Sequence, residues 1–325
     1  MHRRCVPPKL PRPIAAAFVV CALIGVVSAD TAPAPGAPIA LAAEPQIVGP
    51  GVISTPAEEF KATVAPDDAT MLFVVTDHLF RHMTVVESRR SNGAWGTPVV
   101  ASFSGIWRDG DPSFAPDGRS LVFISNRPLP GDAAGVVRRD FNIWHVPRRP
   151  DGTWGEPAAL AAGINTAAGE FAPSLTRSGV LYFSRGDQMF RAAKAPQGFE
   201  APEALPFSGG DPAIAPDESL LVFDRDSAKG DGDLFVSCRT THGWTQPSPL
   251  SAPVSSAFGE GDPSVSADGR TLYFFSERFA PAPDRAPRST PASYADIQRE
   301  ALDNVYNGSR NLYRVDLSSF RCAKR

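Results

Sequence analysis

The stretch Asp109-Gly-Asp-Pro-Ser-Phe-Ala-Pro-Asp-Gly-Arg-Ser-Leu-Val-Phe123 decides the fold. An acidic residue opens it, a short apolar segment follows, Pro-Asp-Gly turns the chain, and an alternating apolar strand ends on Phe123. Alternation of this kind fits a half-buried strand, and Pro, Asp and Gly supply the backbone geometry of a tight turn. A further strand, Asn142-Ile-Trp-His-Val146, comes next, then the phrase Gly152-Thr-Trp-Gly-Glu-Pro157. The same sentence recurs around Phe73, Phe183, Phe223 and Phe274, at spacings of 50, 60, 40 and 51 residues. A single copy cannot bury both its faces, so copies must stack on one another.

Each copy holds four short strands, and a four-stranded propeller blade takes about 40–50 residues. The reading is therefore all-β: a five-bladed β-propeller of four-stranded antiparallel blades over residues 45–320, with a tail at 321–325. The fifth copy ends at Asn311-Leu-Tyr-Arg-Val315 and lacks its last strand. Glu44-Pro-Gln-Ile-Val48 has the form of the missing piece, as Thr97-Pro-Val-Val100 and Glu156-Pro-Ala-Ala-Leu160 do elsewhere. An N-terminal strand completing the last blade would close the ring and remove an open sheet edge. The aromatic of the third phrase (Trp95, Trp154, Phe199, Trp244) is expected between blades, where a large ring covers much apolar area.

Residues 1–29 read as a secretory signal: Arg3, Arg4, Lys9 and Arg12, then the apolar run Ile14–Val27, then Val27-Ser28-Ala29. That run is short of the about 20 apolar residues of a membrane span, so no stable span is expected after cleavage. Residues 30–44, rich in Ala and Pro, read as a flexible lead-in. The expected location is periplasmic or extracellular. Removing residues 1–29 takes four basic and no acidic side chains from totals of 32 and 35, leaving a net charge of −7. Such a balance argues against nucleic acid, whose phosphates demand Lys and Arg. Two cysteines then remain, Cys238 and Cys322, in neighbouring copies. Pairing in an oxidising compartment and two separate thiols are both open readings.

The phrases Pro-Asp-Gly-Arg-Ser-Leu-Val-Phe-Ile-Ser-Asn-Arg and Asp-Gly-Thr-Trp-Gly-Glu-Pro resemble the TolB-type, WD-like propeller repeats of bacterial envelope proteins. The likeness covers about residues 45–320. It implies the propeller fold and an envelope or secreted setting, but neither the extra N-terminal domain nor the additional blades of TolB.

The first strand of a propeller blade lines the central channel, so equivalent residues form rings. One ring would hold Glu59, Asp109, Glu170, Gly209 and Glu260; two residues on come Lys61, Asp111, Ala172, Asp211 and Asp262. Carboxylates so close raise one another's pKa or demand a cation. Arg127, Arg185, Arg225 and Arg278, each ending a second strand, are candidate partners. Three readings follow: internal ion pairs between blades, an oxygen-lined Ca²⁺ site, or the acid and base of a glycosidase-like propeller. Arabinanase-type five-bladed propellers place carboxylates at the channel mouth in this way. The acidic pairs Asp224-Arg-Asp226 and Asp231-Gly-Asp233 read as a solvated turn. The histidines show no metalloprotease spacing, and neither a Gly-x-Ser-x-Gly elbow nor a phosphate loop is present. The expectation is a binding propeller without catalytic residues or cofactor, taking an envelope protein, peptide or glycan; a carbohydrate-active enzyme is the alternative. Two long loops, Pro128–Arg139 and Phe279–Ser309, break the period, and Tyr294–Asp303 in the second has helical character with Tyr294, Ile297 and Leu302 as a short apolar face.

Overall fold

The computed structural model describes residues 36–133, 135–226, 232–279, 289–320 and 322. The expected signal segment and most of the expected tail lie outside them, as does Asp231. Five antiparallel sheets account for nearly all the regular structure. The first blade runs Glu58–Val64, Thr70–Thr76, Thr84–Ser91 and Val99–Val100; the second runs Asp109–Phe114, Ser120–Ser125, Asn142–Pro147 and Ala158–Ala159. The third is Phe171–Leu175, Leu181–Arg185, Gln188–Ala192 and Glu203–Ser208, and the fourth is Gly210–Ile214, Leu220–Asp226, Gly232–Thr240 and Ser248–Pro249. Glu260–Val265, Thr271–Ser276 and Asn311–Asp316 form the fifth blade with Gln46–Ile47 as its outer strand.

That last pairing closes the ring. Gln46 lies opposite Arg314 and Ile47 opposite Tyr313, and the Val48 amide donates to the Leu312 carbonyl at 2.8 Å. The first strands of successive blades lie side by side, and that of blade five returns beside that of blade one. The repeated phenylalanines carry the packing: Phe73, Phe123, Phe183, Phe223 and Phe274 are all buried at 1% exposure or less. Trp154 sits between blades as expected. Its ring meets Phe114 of its own blade at 5.8 Å, and its indole N–H donates to Glu87 of blade one at 2.8 Å.

Two expectations need correction. The Ala/Pro-rich lead-in is anchored over its described part: the Ile39 amide donates to Pro249, the Ser251 amide donates back to Ile39, and Leu41 is buried against blade four. The helical segment of the fifth-blade loop is one α turn, Tyr294–Ile297, continued by a π turn, Gln298–Leu302. Tyr294 is 73% exposed and Ile297 49%, so these two residues form no packed face. Cys238 and Cys322 form a disulfide, with their Cα atoms 5.5 Å apart. The bond ties the end of the chain to the outer part of blade four. Among the described residues no helix is long and apolar enough to cross a membrane.

Candidate functional site

Each first strand carries a register shift in the same place, and the residue at the shift has positive φ: Lys61 (51°), Asp111 (46°), Ala172 (46°), Asp211 (41°) and Asp262 (49°). A non-glycine residue avoids this region, so five in register mark a built feature. A bulge re-aims the side chain it carries. The two rings read from the sequence therefore separate into two different environments.

The outer ring is a set of closed sockets. In blade two, Asp109 is fully buried; it accepts from Arg127 Nη2 at 2.6 Å and from Ser104 Oγ at 2.9 Å. Arg127 also donates to Ser125 Oγ and the Phe103 carbonyl, and its guanidinium lies 5.0 Å from the Phe123 ring centre. Blade three repeats this with Glu170, which accepts from Arg185 Nε at 2.9 Å and Thr166 Oγ1 at 2.6 Å. Blade five does so with Glu260, which accepts from Ser256 Oγ and Ser276 Oγ at 2.6 Å and from Arg278 Nη2 at 3.3 Å. Burial pushes the Asp109 carboxyl up, and the Arg127 charge pulls it back. The spacing Thr166-x-x-x-Glu170, Ser256-x-x-x-Glu260 and Thr55-x-x-x-Glu59 is the sequence signal for these sockets; the hydroxyl four residues ahead is the part that reading for acids alone misses.

Two blades depart from the pattern. Blade four has Gly209 in place of the acid, and Arg225 donates instead to the Ser208 carbonyl. Blade one has the acid without its guanidinium. Glu59 lies opposite Val75, where Asp109 lies opposite Ser125, and Asp77 stands where Arg127 would be. Glu59 is 1% exposed and accepts from Thr55 alone, through its amide at 3.1 Å and its hydroxyl. Burial chiefly, and the neighbouring Glu58 charge, push its pKa up to about 7 against the Thr55 hydrogen bonds.

The inner ring is a cluster. Asp111, Asp211 and Asp262 converge with Asp224, which the sequence reading placed in a solvated turn. Asp224 reaches the others from a second strand because glycines clear its path. A Cβ at Gly210 would lie 2.6 Å from Asp224 Oδ1, and one at Gly261 2.9 Å from Asp224 Oδ2. Lys61 is the cation among these four carboxyls; it is 2% exposed and its ammonium donates to the Pro263 carbonyl at 3.1 Å. Asp111 spans to the next blade, accepting the Ala172 amide at 2.8 Å. Burial first and the Asp211 charge second push Asp111 up to about 6, with Lys61 opposing. The same causes push Asp224 and Asp262 well above the carboxylate range. The Lys61 charge opposes each of these three shifts. Among the described residues no three His, Cys, Asp or Glu side chains are grouped so as to hold a metal ion.

Below the cluster the channel narrows to about 20 Å³ among residues of all five blades, including Thr63, Ser113, Ser174 and Ser264. Hydroxyls stitch the blades there: Thr63 accepts the Phe114 amide, Ser174 accepts the Ile214 amide, and Ser264 donates to the Ala62 carbonyl. The opposite face carries the loops that enter first strands or join second to third strands. On them Leu79, Ile106, Val137, Phe258 and Phe279 are exposed, Ile106 at 85%; the Phe258 and Phe279 rings meet at a tilt of 58°, their centres 5.1 Å apart.

No family model and no curated protein matches the chain. Solved structures resemble its fold. TolB from Acinetobacter baumannii aligns at 13% identity over 80% of this chain and 55% of its own, with a TM-score of 0.44. The chain thus spans about half of that TolB. An alpha-L-arabinofuranosidase from Podospora anserina aligns at 12% identity over 84% of this chain and 96% of its own, with a TM-score of 0.49. A periplasmic gluconolactonase from Pseudomonas aeruginosa aligns at 16% identity over 69% of each chain, with a TM-score of 0.40. These likenesses concern the fold.

Proposed function

We propose that this propeller is a non-catalytic binding module of the cell envelope or extracellular space, taking a protein, peptide or envelope glycan on its loop face. The observation that carries this reading is the state of the carboxylates. Hydrolysis of a glycoside needs a proton donor and a base or nucleophile at a set separation around an accessible bond. Asp109, Glu170 and Glu260 are instead closed into hydroxyl and guanidinium sockets, and Asp111, Asp224 and Asp262 share Lys61. The exposed apolar side chains Leu79, Ile106, Val137 and Phe279 lie on the loop face, where a rigid scaffold presents its variable segments.

One observation favours the carbohydrate-active alternative. Glu59 has a pKa of about 7, which suits a general acid at neutral pH. Its 1% exposure weighs against that role. The test is capture from envelope fractions by the purified protein and by its Ile106→Asp and Phe279→Asp variants, beside a glycan hydrolysis panel. The binding reading expects capture that the two variants lose, and no hydrolysis. Hydrolysis abolished by Glu59→Gln would replace it with the enzyme.

A further inference from the structure

The opposite, turn-bearing face has a cavity of about 310 Å³ where blades three, four and five meet the end of the chain. That is the volume of about ten water molecules at about 30 Å³ each, the small end of the range for ligand sites. Its apolar wall comes from Leu220, Leu317 and Phe320, and Cys322 stands beside them. The disulfide to Cys238 holds this wall against blade four.

Three guanidiniums line the same cavity: Arg177 from the turn of blade three, Arg239 from the end of a blade-four strand, and Arg270 from the turn of blade five. Two other arginines on this face have carboxylate partners. Arg90 pairs with Asp68, and Arg191 pairs with Glu218 at 2.7 Å. Among the described residues no carboxylate lies in ion-pair contact with Arg177, Arg239 or Arg270, although the charges of Arg177, Arg239 and Arg270 reach Asp217, Glu218 and Asp268 through space. Arg177 is held in place by its own bonds, its amide to Pro216 at 2.8 Å and its Nη2 to Ala267 at 3.2 Å. Arg239 lies 5.2 Å over the ring of Trp244.

Two carboxylates also line the cavity, and both are turned to their own turns. Asp217 Oδ1 accepts from the amide and hydroxyl of Ser219, and Asp268 Oδ1 accepts from the Arg270 amide at 3.0 Å and the Ser266 hydroxyl at 2.6 Å. Three guanidiniums against two carboxylates leave the described lining one net positive charge, even with the Arg177 and Arg270 charges acting on Asp217 and Asp268, and the exposed guanidiniums of Arg239 and Arg270 share the cavity with an apolar wall. Guanidinium donors match the paired oxygens of carboxylate and phosphate groups.

We infer that this cavity binds a small organic oxyanion, its carboxylate or phosphate head on Arg239 and Arg270 and its apolar body against Leu220, Leu317 and Phe320. The site lies away from the loop face and stands or falls apart from the function proposed above.

The probes are benzoate, phenyl phosphate, inorganic phosphate and benzylamine, titrated into the purified protein by calorimetry. Saturable binding of benzoate or phenyl phosphate is expected, with the tighter of the two identifying the head group, and none of benzylamine. The Arg239→Gln, Arg270→Gln double variant is expected to lose at least about tenfold in affinity, as befits lost charge-assisted hydrogen bonds. Its melting temperature is expected to fall by no more than about 2 °C, because neither arginine holds an ion pair and the Arg239–Trp244 contact is worth about 0.5–1 kcal/mol at an exposed site. Failure of both aryl anions to bind, equal affinity in the double variant, or equal binding of benzylamine would overturn the assignment. Inorganic phosphate binding more tightly than phenyl phosphate would overturn the apolar half of the site.

Discussion

Replacing Glu59 by Gln should stabilise the protein above neutral pH and cost it about 1 kcal/mol below pH 5. The folded protein holds the Glu59 proton to a pKa of about 7, against 4.5 for an ordinary glutamate. An acid whose pKa is raised by folding contributes stability that is complete below 4.5 and is lost as pH rises through 7. The shift corresponds to about 3 kcal/mol at about 1.4 kcal/mol per pKa unit. Gln mimics the protonated acid: one oxygen accepts and one group donates. The Thr55 hydroxyl can turn to accept, but its amide and hydroxyl now both donate to Glu59, so about 1 kcal/mol is lost with one bond. The expected net gain at pH 8.5 is about 2 kcal/mol, or roughly 4 °C in melting temperature for a domain of this size. Urea unfolding of wild type and variant from pH 4.5 to 9 measures it. Glu170→Gln is the control: it leaves the half-buried Arg185 without its charge partner and should lose about 3 kcal/mol at pH 7. A Glu59→Gln variant no more stable than wild type at pH 8.5, or a difference that does not change with pH, would refute the reasoning.

Other outcomes follow from the same geometry. Lys61→Met removes the cation from two buried and two half-buried carboxyls and should lose about 3 kcal/mol at pH 7 by urea unfolding. The loss should shrink toward pH 5, as the aspartates take up protons. Arg225→Ala, in the blade whose acid is Gly209, should change stability by less than about 1 kcal/mol. Cys238→Ser with Cys322→Ser should lose about 4.5 kcal/mol, the loop-closure value for a separation of 84 residues. Calcium should leave the melting temperature of the purified protein unchanged, since the ammonium of Lys61 already takes the place of a cation.

Much of the fold was legible because it repeats. Five copies of one phrase, and a fifth that stopped one strand short, pointed to five blades and to Gln46–Ile47 as the closing strand. The first-strand acids were legible for the same reason. Their sorting into sockets and a cluster was not, because it depends on a bulge at Lys61, Asp111, Ala172, Asp211 and Asp262 that no side-chain pattern announces. Asp224 was missed because its contacts come from empty space over Gly210 and Gly261 rather than from its own neighbours in sequence. The isolation of Glu59 was readable in principle: Val75 and Asp77 stand where the second copy has Ser125 and Arg127. The disulfide stayed open because a pairing depends on a distance, and the looseness expected of residues 30–44 ignored the apolar Ile39 and Leu41, which blade four covers.

The claim on which the rest depends is that the channel carboxylates are held by partners inside the fold. A double-mutant cycle on Asp109→Asn and Arg127→Met, read by urea unfolding, tests it most directly. Each single variant should lose about 3–5 kcal/mol, and the double variant clearly less than their sum, because each single variant strands one buried polar partner. Single variants that keep wild-type stability while abolishing a binding or hydrolytic activity would contradict it.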